Sequence, residues 1–151
     1  MRISCSTAIL AGILLAACAP DEPRPVSVAP PPPVAAGQPA PGEEIDGETY
    51  FDLVRSNTIE GITSRGVDIS IYVAEDGTQR MRWRSMRSSG RDDGRIVLRD
   101  GKACSSWRIA RGGQEACGRI FRDGETFRGV DRDTGEVIST FRILPGNPRG
   151  L

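Results

Sequence analysis

The chain has no histidine, and of its 20 basic residues only Lys102 is a lysine. Aromatic residues are scarce as well, with two Trp, two Tyr and four Phe in 151 positions. Each shortage removes a class of chemistry. Without imidazole there is no Ser-His or Cys-His nucleophile pair, no HExxH zinc helix, and no nitrogen ligand to complete a two-cysteine metal site. With one lysine, a Ser-Lys arrangement could draw only on Lys102 and the nearby Ser105-Ser106. Basic and acidic residues balance at 20 each, so there is no general electrostatic case for nucleic acid. No uncharged apolar run reaches the ~20 residues that span a bilayer. The chain is therefore not expected to be an enzyme, and neither a cofactor nor a metal is expected. Its arginine bias needs no recognition role, because a GC-rich genome produces the same bias without selection for guanidinium chemistry.

What the sequence does have begins at the N-terminus. Met1-Arg2 supplies a short positive start, and residues 3–17 are uncharged and mostly apolar, the length of an export signal. The run breaks at Ala19-Pro20-Asp21-Glu22-Pro23, where proline cannot continue a helix. Leu15-Ala16-Ala17-Cys18 resembles the lipobox of bacterial lipoproteins. That resemblance implies that residues 1–17 are a signal peptide, that the Cys18 thiol receives a diacylglyceryl group, and that the mature chain starts at Cys18. Several acyl chains hold a protein on a membrane stably where one binds only marginally. Ala19 rather than Asp after the cysteine favours the outer membrane, facing the periplasm. Nine of the eleven prolines then fall between Ala19 and Gly42. Residues 18–42 thus read as a lipidated cysteine followed by a polyproline-II-rich tether, with an upper reach of roughly 70 Å.

Residues 43–151 suffice for one small domain. Once Cys5 leaves with the signal and Cys18 is lipidated, Cys104 and Cys117 remain as a pair in a compartment that permits disulfides. Val67, Ile69, Ile71 and Val73 alternate with polar positions at the period of a half-buried strand. Similar runs cover residues 79–86, 95–99, 103–109, 117–122, 126–130 and 137–144, and residues 57–61 could add another. Between them recur Asp76-Gly77, Asp100-Gly101, Asp123-Gly124 and Asp133-Thr134-Gly135, the chemistry of tight hairpin turns. The expected fold is all-β: a small antiparallel meander or barrel of about seven or eight strands. Phe51 and Val54 at helical spacing predict one short helix within residues 48–56, across an open end or edge. If Cys104 faces Cys117, the bend between them centres at Ala110-Arg111. A two-residue turn at Gly112-Gly113 would instead set Cys104 opposite Phe121, beyond the ~7 Å bridging limit. The bridge is preferred, with the glycines on the descending side of the loop as a bulge.

The carboxylate pairs Asp92-Asp93 and Asp131 with Asp133 fall in or beside predicted turns, where solvation deprives them of the burial that separates catalytic pKa values. The most suggestive stretch is Gln79-Arg80-Met81-Arg82-Trp83-Arg84. On a strand it projects Arg80, Arg82 and Arg84 to one face. Those guanidiniums either pair with acidic positions of the preceding strand, Asp68 and Glu75 among them, or form a stripe for phosphate, carboxylate or anionic glycan.

Tyr72-Val73-Ala74-Glu75-Asp76-Gly77-Thr78, Cys104-Ser105-Ser106-Trp107, Cys117, Arg122-Asp123-Gly124 and Pro145-Gly146-Asn147-Pro148 are similar to a pattern found in a family of small exported domains of Gram-negative bacteria whose function is unknown. A G-x-W motif between the first hairpin and Cys104 is replaced here by Gly94-Arg95-Ile96. The resemblance implies a fold and supplies no catalytic residues. The function expected is that of a membrane-anchored envelope lipoprotein, acting as a binding or support module for an anionic envelope component or a protein partner. An inhibitor of lysozyme is the alternative.

Overall fold

The computed structural model describes residues 42–151. The signal segment, Cys18 and nearly all of the proline-rich tether lie outside the described residues. Ten strands form one antiparallel sheet: β1 (Glu43–Ile45), β2 (Asn57–Thr63), β3 (Asp68–Val73), β4 (Thr78–Arg84), β5 (Ser89–Arg99), β6 (Lys102–Trp107), β7 (Ala116–Cys117), β8 (Arg119–Asp123), β9 (Thr126–Val130) and β10 (Val137–Pro145). A single α-helix, α1 (Gly47–Val54), follows β1. The strands are ordered β1-β8-β9-β10-β2-β3-β4-β5-β6-β7, and the sheet curls into a half-barrel. Only Gly118 separates β7, last in that order, from β8, second in it. Because one residue spans no more than a few ångströms, the curl must bring the two sides of the sheet close together.

The helix starts at Asp46, whose carboxylate accepts from the Thr49 N–H at 2.8 Å and from the Thr49 hydroxyl at 2.8 Å. Such a cap satisfies one of the helix's orphan amide donors. Tyr50 and Val54, one turn apart, are buried and face the sheet. The helix packs against β5, β6, β2 and β8, with Gly47 N donating to Gly101 O in the β5–β6 turn at 3.1 Å and Phe51 near Gly77 of the β3–β4 turn, so it lies across the end of the half-barrel where those hairpins turn, as expected. There Tyr50 and Val54 join Ile59, Ile71, Val73, Ile96, Trp107, Phe127 and Phe141. Phe127 stacks on Phe141 with ring centroids 5.6 Å apart, and Tyr50 meets Phe141 edge-on at 6.1 Å. Every member of this core falls between residues 50 and 141, so the described span carries a core of its own.

The curl makes room for the large rings by placing glycine opposite aromatic residues. Gly61 pairs with Phe141, Gly90 with Trp83 and Gly94 with Trp107. A β-carbon at Gly90 would lie 2.7 Å from the Trp83 ring, and one at Gly94 would lie 2.5 Å from that of Trp107. Glycine weakens a strand unless something approaches its backbone closely; here an indole does.

The fold agrees with the all-β expectation, with local departures. The strand count reaches ten because β1 and β7 are pairings of three and two residues, too short to leave a periodic signal. The expected strand at residues 95–99 begins instead at Ser89. Its first half, Ser-Gly-Arg-Asp-Asp-Gly, has the composition of a loop, and pairing with β4 overrides that composition. The Asp-Gly turns differ among themselves. Asp100 and Gly101 both take positive φ, 50° and 72°, as a type I′ turn requires, whereas at Asp76-Gly77 only the glycine does, at 82°.

Candidate functional site

Cys104 and Cys117 are bonded and stand directly opposite one another on β6 and β7, so the hairpin has the register that the bridge demands. The glycines after its bend do not form a bulge. Residues 110–113 make a short 3-10 turn in which Arg111, Gly112 and Gly113 all have positive φ. The anchor of this turn is Asp92, which the sequence placed among solvated turn residues. It is 3% exposed, on the concave face of β5. One carboxylate oxygen accepts from the amides of Ala110 at 2.8 Å and Ile109 at 3.1 Å, and the other accepts from Asp93 N at 2.9 Å. Backbone donors thus compensate the burial of a charge, and the acid holds the loop against the sheet. Asp131 does behave as a turn residue, accepting from Asp133 N and Thr134 N at 3.0 and 2.9 Å. The donors of Thr134 foremost hold its carboxyl below the usual range.

On the convex face, Arg80, Arg82 and Arg84 are exposed, while Gln79, Met81 and Trp83 alternate with them toward the other side. The structure divides this row. Arg82 and Arg84 line an open groove of about 500 Å³ together with Glu60, Asp68, Ser70, Trp83, Ser89, Gly90, Arg91 and Arg149. Arg80 lies apart, opposite Tyr72 and Asp93, where its guanidinium donates to the Leu151 oxygen at 3.4 Å.

Strand register assembles the groove. Reading across one row of the convex face, Arg142 of β10 is opposite Glu60 of β2, Glu60 opposite Ser70 of β3, Ser70 opposite Arg82 of β4, and Arg82 opposite Arg91 of β5. In the next row Asp68, Arg84 and Ser89 are aligned. The last side chain arrives from the segment after β10. Asn147 closes that segment on itself, its amide donating to the Leu151 oxygen at 2.7 Å and its carbonyl accepting from Leu151 N at 2.9 Å. Two further bonds tie it to β2: the Thr58 hydroxyl donates to Gly146 O at 2.7 Å, and Gly146 N donates to Asn57 Oδ1 at 2.9 Å. Arg149 is thereby set beside Glu60, which it engages through its Nε, while Arg142 reaches the other carboxylate oxygen at 3.4 Å. The Glu60 side chain is only 12% exposed. The hydrogen bond from Arg149, followed by its charge and that of Arg142, holds the Glu60 carboxyl below the usual range against the opposing effect of burial.

Arg82, Arg84 and Arg91 are not drawn into ion pairs among the described residues, a condition they share with Arg65, Arg87, Arg108, Arg111 and Arg132. Ion pairs join Arg55 to Asp52, Arg99 to Glu115, Arg119 to Glu44, Arg128 to Asp123, and both Arg142 and Arg149 to Glu60. None of the three groove guanidiniums has an ion-pair or hydrogen-bond partner among the described residues. Asp68 is opposite Arg84 without forming an ion pair to it, and Glu75 falls beyond the end of β3. The pairing with the preceding strand that the sequence offered as one account of the row is not made.

Of the residues singled out from sequence, then, Arg82 and Arg84 come together in a groove, Arg80 does not join them, Cys104 and Cys117 form a structural bridge elsewhere, and Cys18 lies outside the described residues. Sequence reasoning missed Arg91, Arg149 and Glu60. A correct extent for β5 would have placed Arg91 opposite Arg82; nothing local signals that Arg149 returns to the sheet. Comparison of the chain with family models, with curated proteins and with solved structures found no match.

Proposed function

We propose that this chain is a lipid-anchored envelope protein whose folded part is a binding module for an anionic component, carried on the tether of residues 18–42. The observation that carries the reading is the pair Arg82–Arg91. Like charges directly opposite in a sheet destabilise it. This chain nevertheless has 20 carboxylates to 19 guanidiniums, and of the carboxylates in ion pairs Glu60 is the one at the groove. An arrangement that leaves three guanidiniums unpaired at one groove is suited to an anion supplied from outside, which guanidinium forks hold bidentately. The anchor rests on the lipobox resemblance, and the thioether can form only on the Cys18 thiol.

Two measurements test the reading. Cells fed labelled palmitate should label the parent chain and leave Cys18→Ala unlabelled; label in the mutant would remove the anchor. Calorimetric titration with inorganic phosphate and with acetate should show binding at low salt that weakens steeply as salt is added. Absence of salt-sensitive binding to either anion would remove the module.

A further inference from the structure

Building on the reading of the groove as an anion site, we infer that its ligand is a phosphate monoester in the dianionic form, in preference to a carboxylate or a phosphodiester. Four guanidiniums and two carboxylates line the groove; with Glu60 and Arg149 neutralising each other, Arg82, Arg84 and Arg91 stand against Asp68, an excess of two positive charges beside Arg142, which reaches Glu60 from β10. Glu60 is already engaged by Arg149 and Arg142, so the groups free to meet a ligand are Arg82, Arg84 and Arg91. Arg82 and Arg91 are directly opposite on β4 and β5, which sets their α-carbons ~5 Å apart; Arg84 stands two positions along β4, ~7 Å from Arg82. The arginine side chain reaches about as far as these separations, so three forks can converge on one point above the sheet.

A terminal phosphate offers three acceptor oxygens and about two negative charges near neutral pH, one oxygen to each fork and two charges against the excess of two. A carboxylate offers two oxygens and one charge. A phosphodiester offers two non-bridging oxygens and one charge. Either would leave a guanidinium unmatched and a positive charge over. Ser70, opposite Arg82, and Ser89, opposite Arg84, add hydroxyl donors at the groove. Because the groove is open to solvent, the esterified group points outward and is not selected. A phosphorylated sugar and a phosphatidic acid headgroup therefore present the same chemistry.

The charged groups around the groove are Glu60 from β2, Asp68 from β3, Arg82 and Arg84 from β4, Arg91 from β5, Arg149 from the segment after β10 and, paired to Glu60, Arg142 from β10. The chain has no histidine. A change in affinity between pH 5 and pH 7.5 therefore reports the ligand's own second proton, whose pKa is about 6. The experiment uses residues 19–151, exported behind an ordinary cleavable signal so that the disulfide forms but no lipid is attached. Glucose 6-phosphate should bind about tenfold more tightly at pH 7.5 than at pH 5, following the dianion fraction. Dimethyl phosphate and acetate should bind at least tenfold more weakly at pH 7.5 and without that pH dependence. Arg82→Gln and Arg91→Gln should each lose at least tenfold for glucose 6-phosphate, and Arg80→Gln should lose nothing. Vesicles of phosphatidylcholine with phosphatidic acid, set against the same vesicles with phosphatidylglycerol, separate the sources. Preference for the phosphatidic acid vesicles over the soluble sugar assigns a lipid headgroup, and the reverse assigns a free phosphorylated compound; both support the inference. Equal, pH-independent binding of monoester and diester would overturn it while leaving the groove an anion site, and binding of no anion at low salt would overturn both. Should a substitution impair folding, the pH profile of the parent chain still decides.

Discussion

Arg91 and Asp92 are neighbours in sequence, point to opposite faces of β5, and meet opposite fates. Asp92, on the concave face, is buried and takes hydrogen bonds from the amides of Asp93, Ile109 and Ala110. Arg91, on the convex face, is exposed, confronts Arg82, and has no partner for its guanidinium among the described residues. The concave side is closed: its charge is spent on holding the loop that follows β6. The convex side keeps charge in reserve, and water is what makes that affordable in a folded chain. A buried guanidinium left in that condition would cost several kcal/mol, whereas an exposed one costs little. The contrast separates charge used for structure from charge available for a ligand.

The comparison can be broken most severely at Asp92. Replacing it with Ala removes the charged acceptor of the Asp93, Ile109 and Ala110 amides, whose bonds are part-buried, so denaturant unfolding should show a loss of about 3 to 4 kcal/mol. A loss below about 1 kcal/mol would mean that the loop does not depend on the acid. Next comes the bridge. Cys104→Ser should cost about 3 kcal/mol, the chain-entropy value for closing a loop of this order, and the parent cysteines should resist alkylation until reduced. Glu60, at the border between the two regimes, should show a smaller and pH-dependent effect. Its folded pKa lies below its unfolded one, so its contribution is fully present above the unfolded carboxylate range near ~4.3 and is lost as pH falls through the folded value. Glu60→Gln should lower stability by about 1 to 2 kcal/mol at pH 7 and flatten the acid limb of the stability curve; an unchanged acid limb would remove Glu60 from the account. The smallest effect belongs to the groove. Arg91→Gln should change stability by no more than about 0.5 kcal/mol, with a gain as the expected sign because it relieves a like-charge cross-strand pair. A loss above 1 kcal/mol in thermal or denaturant unfolding would show that Arg91 has structural work to do.

How far the sequence could be read follows the same division. Alternating runs such as Val67 to Val73, and the Asp-Gly turns between strands, report local geometry directly, and the meander was legible from them. The register of the disulfide hairpin was legible because a covalent bond fixes which residues face each other. The start of β5 was not. Its glycines lie beneath Trp83 and Trp107, partners that no local window around residues 89–94 contains. The candidate site suffered from the same blindness to distance. The row of Arg82 and Arg84 could be seen, since period-two alternation lies within one strand. Arg91 depended on a misplaced strand boundary. Arg149 depended on a segment that folds back onto β2 through bonds of Gly146 to Asn57 and Thr58, a contact between parts of the chain nearly ninety residues apart.

The pairing of β2 with β10 also sets a timetable. Apart from β1 with β8, every other pairing joins consecutive strands, and hairpins of that kind form within microseconds. Bringing residue 57 beside residue 145 closes a loop that encompasses most of the domain, and non-local pairings of this sort slow folding because the entropy is lost before the contacts reward it. β10 is also the last of the described strands in chain order. The hairpins can therefore form first, and the sheet is sealed only once β10 reaches β2.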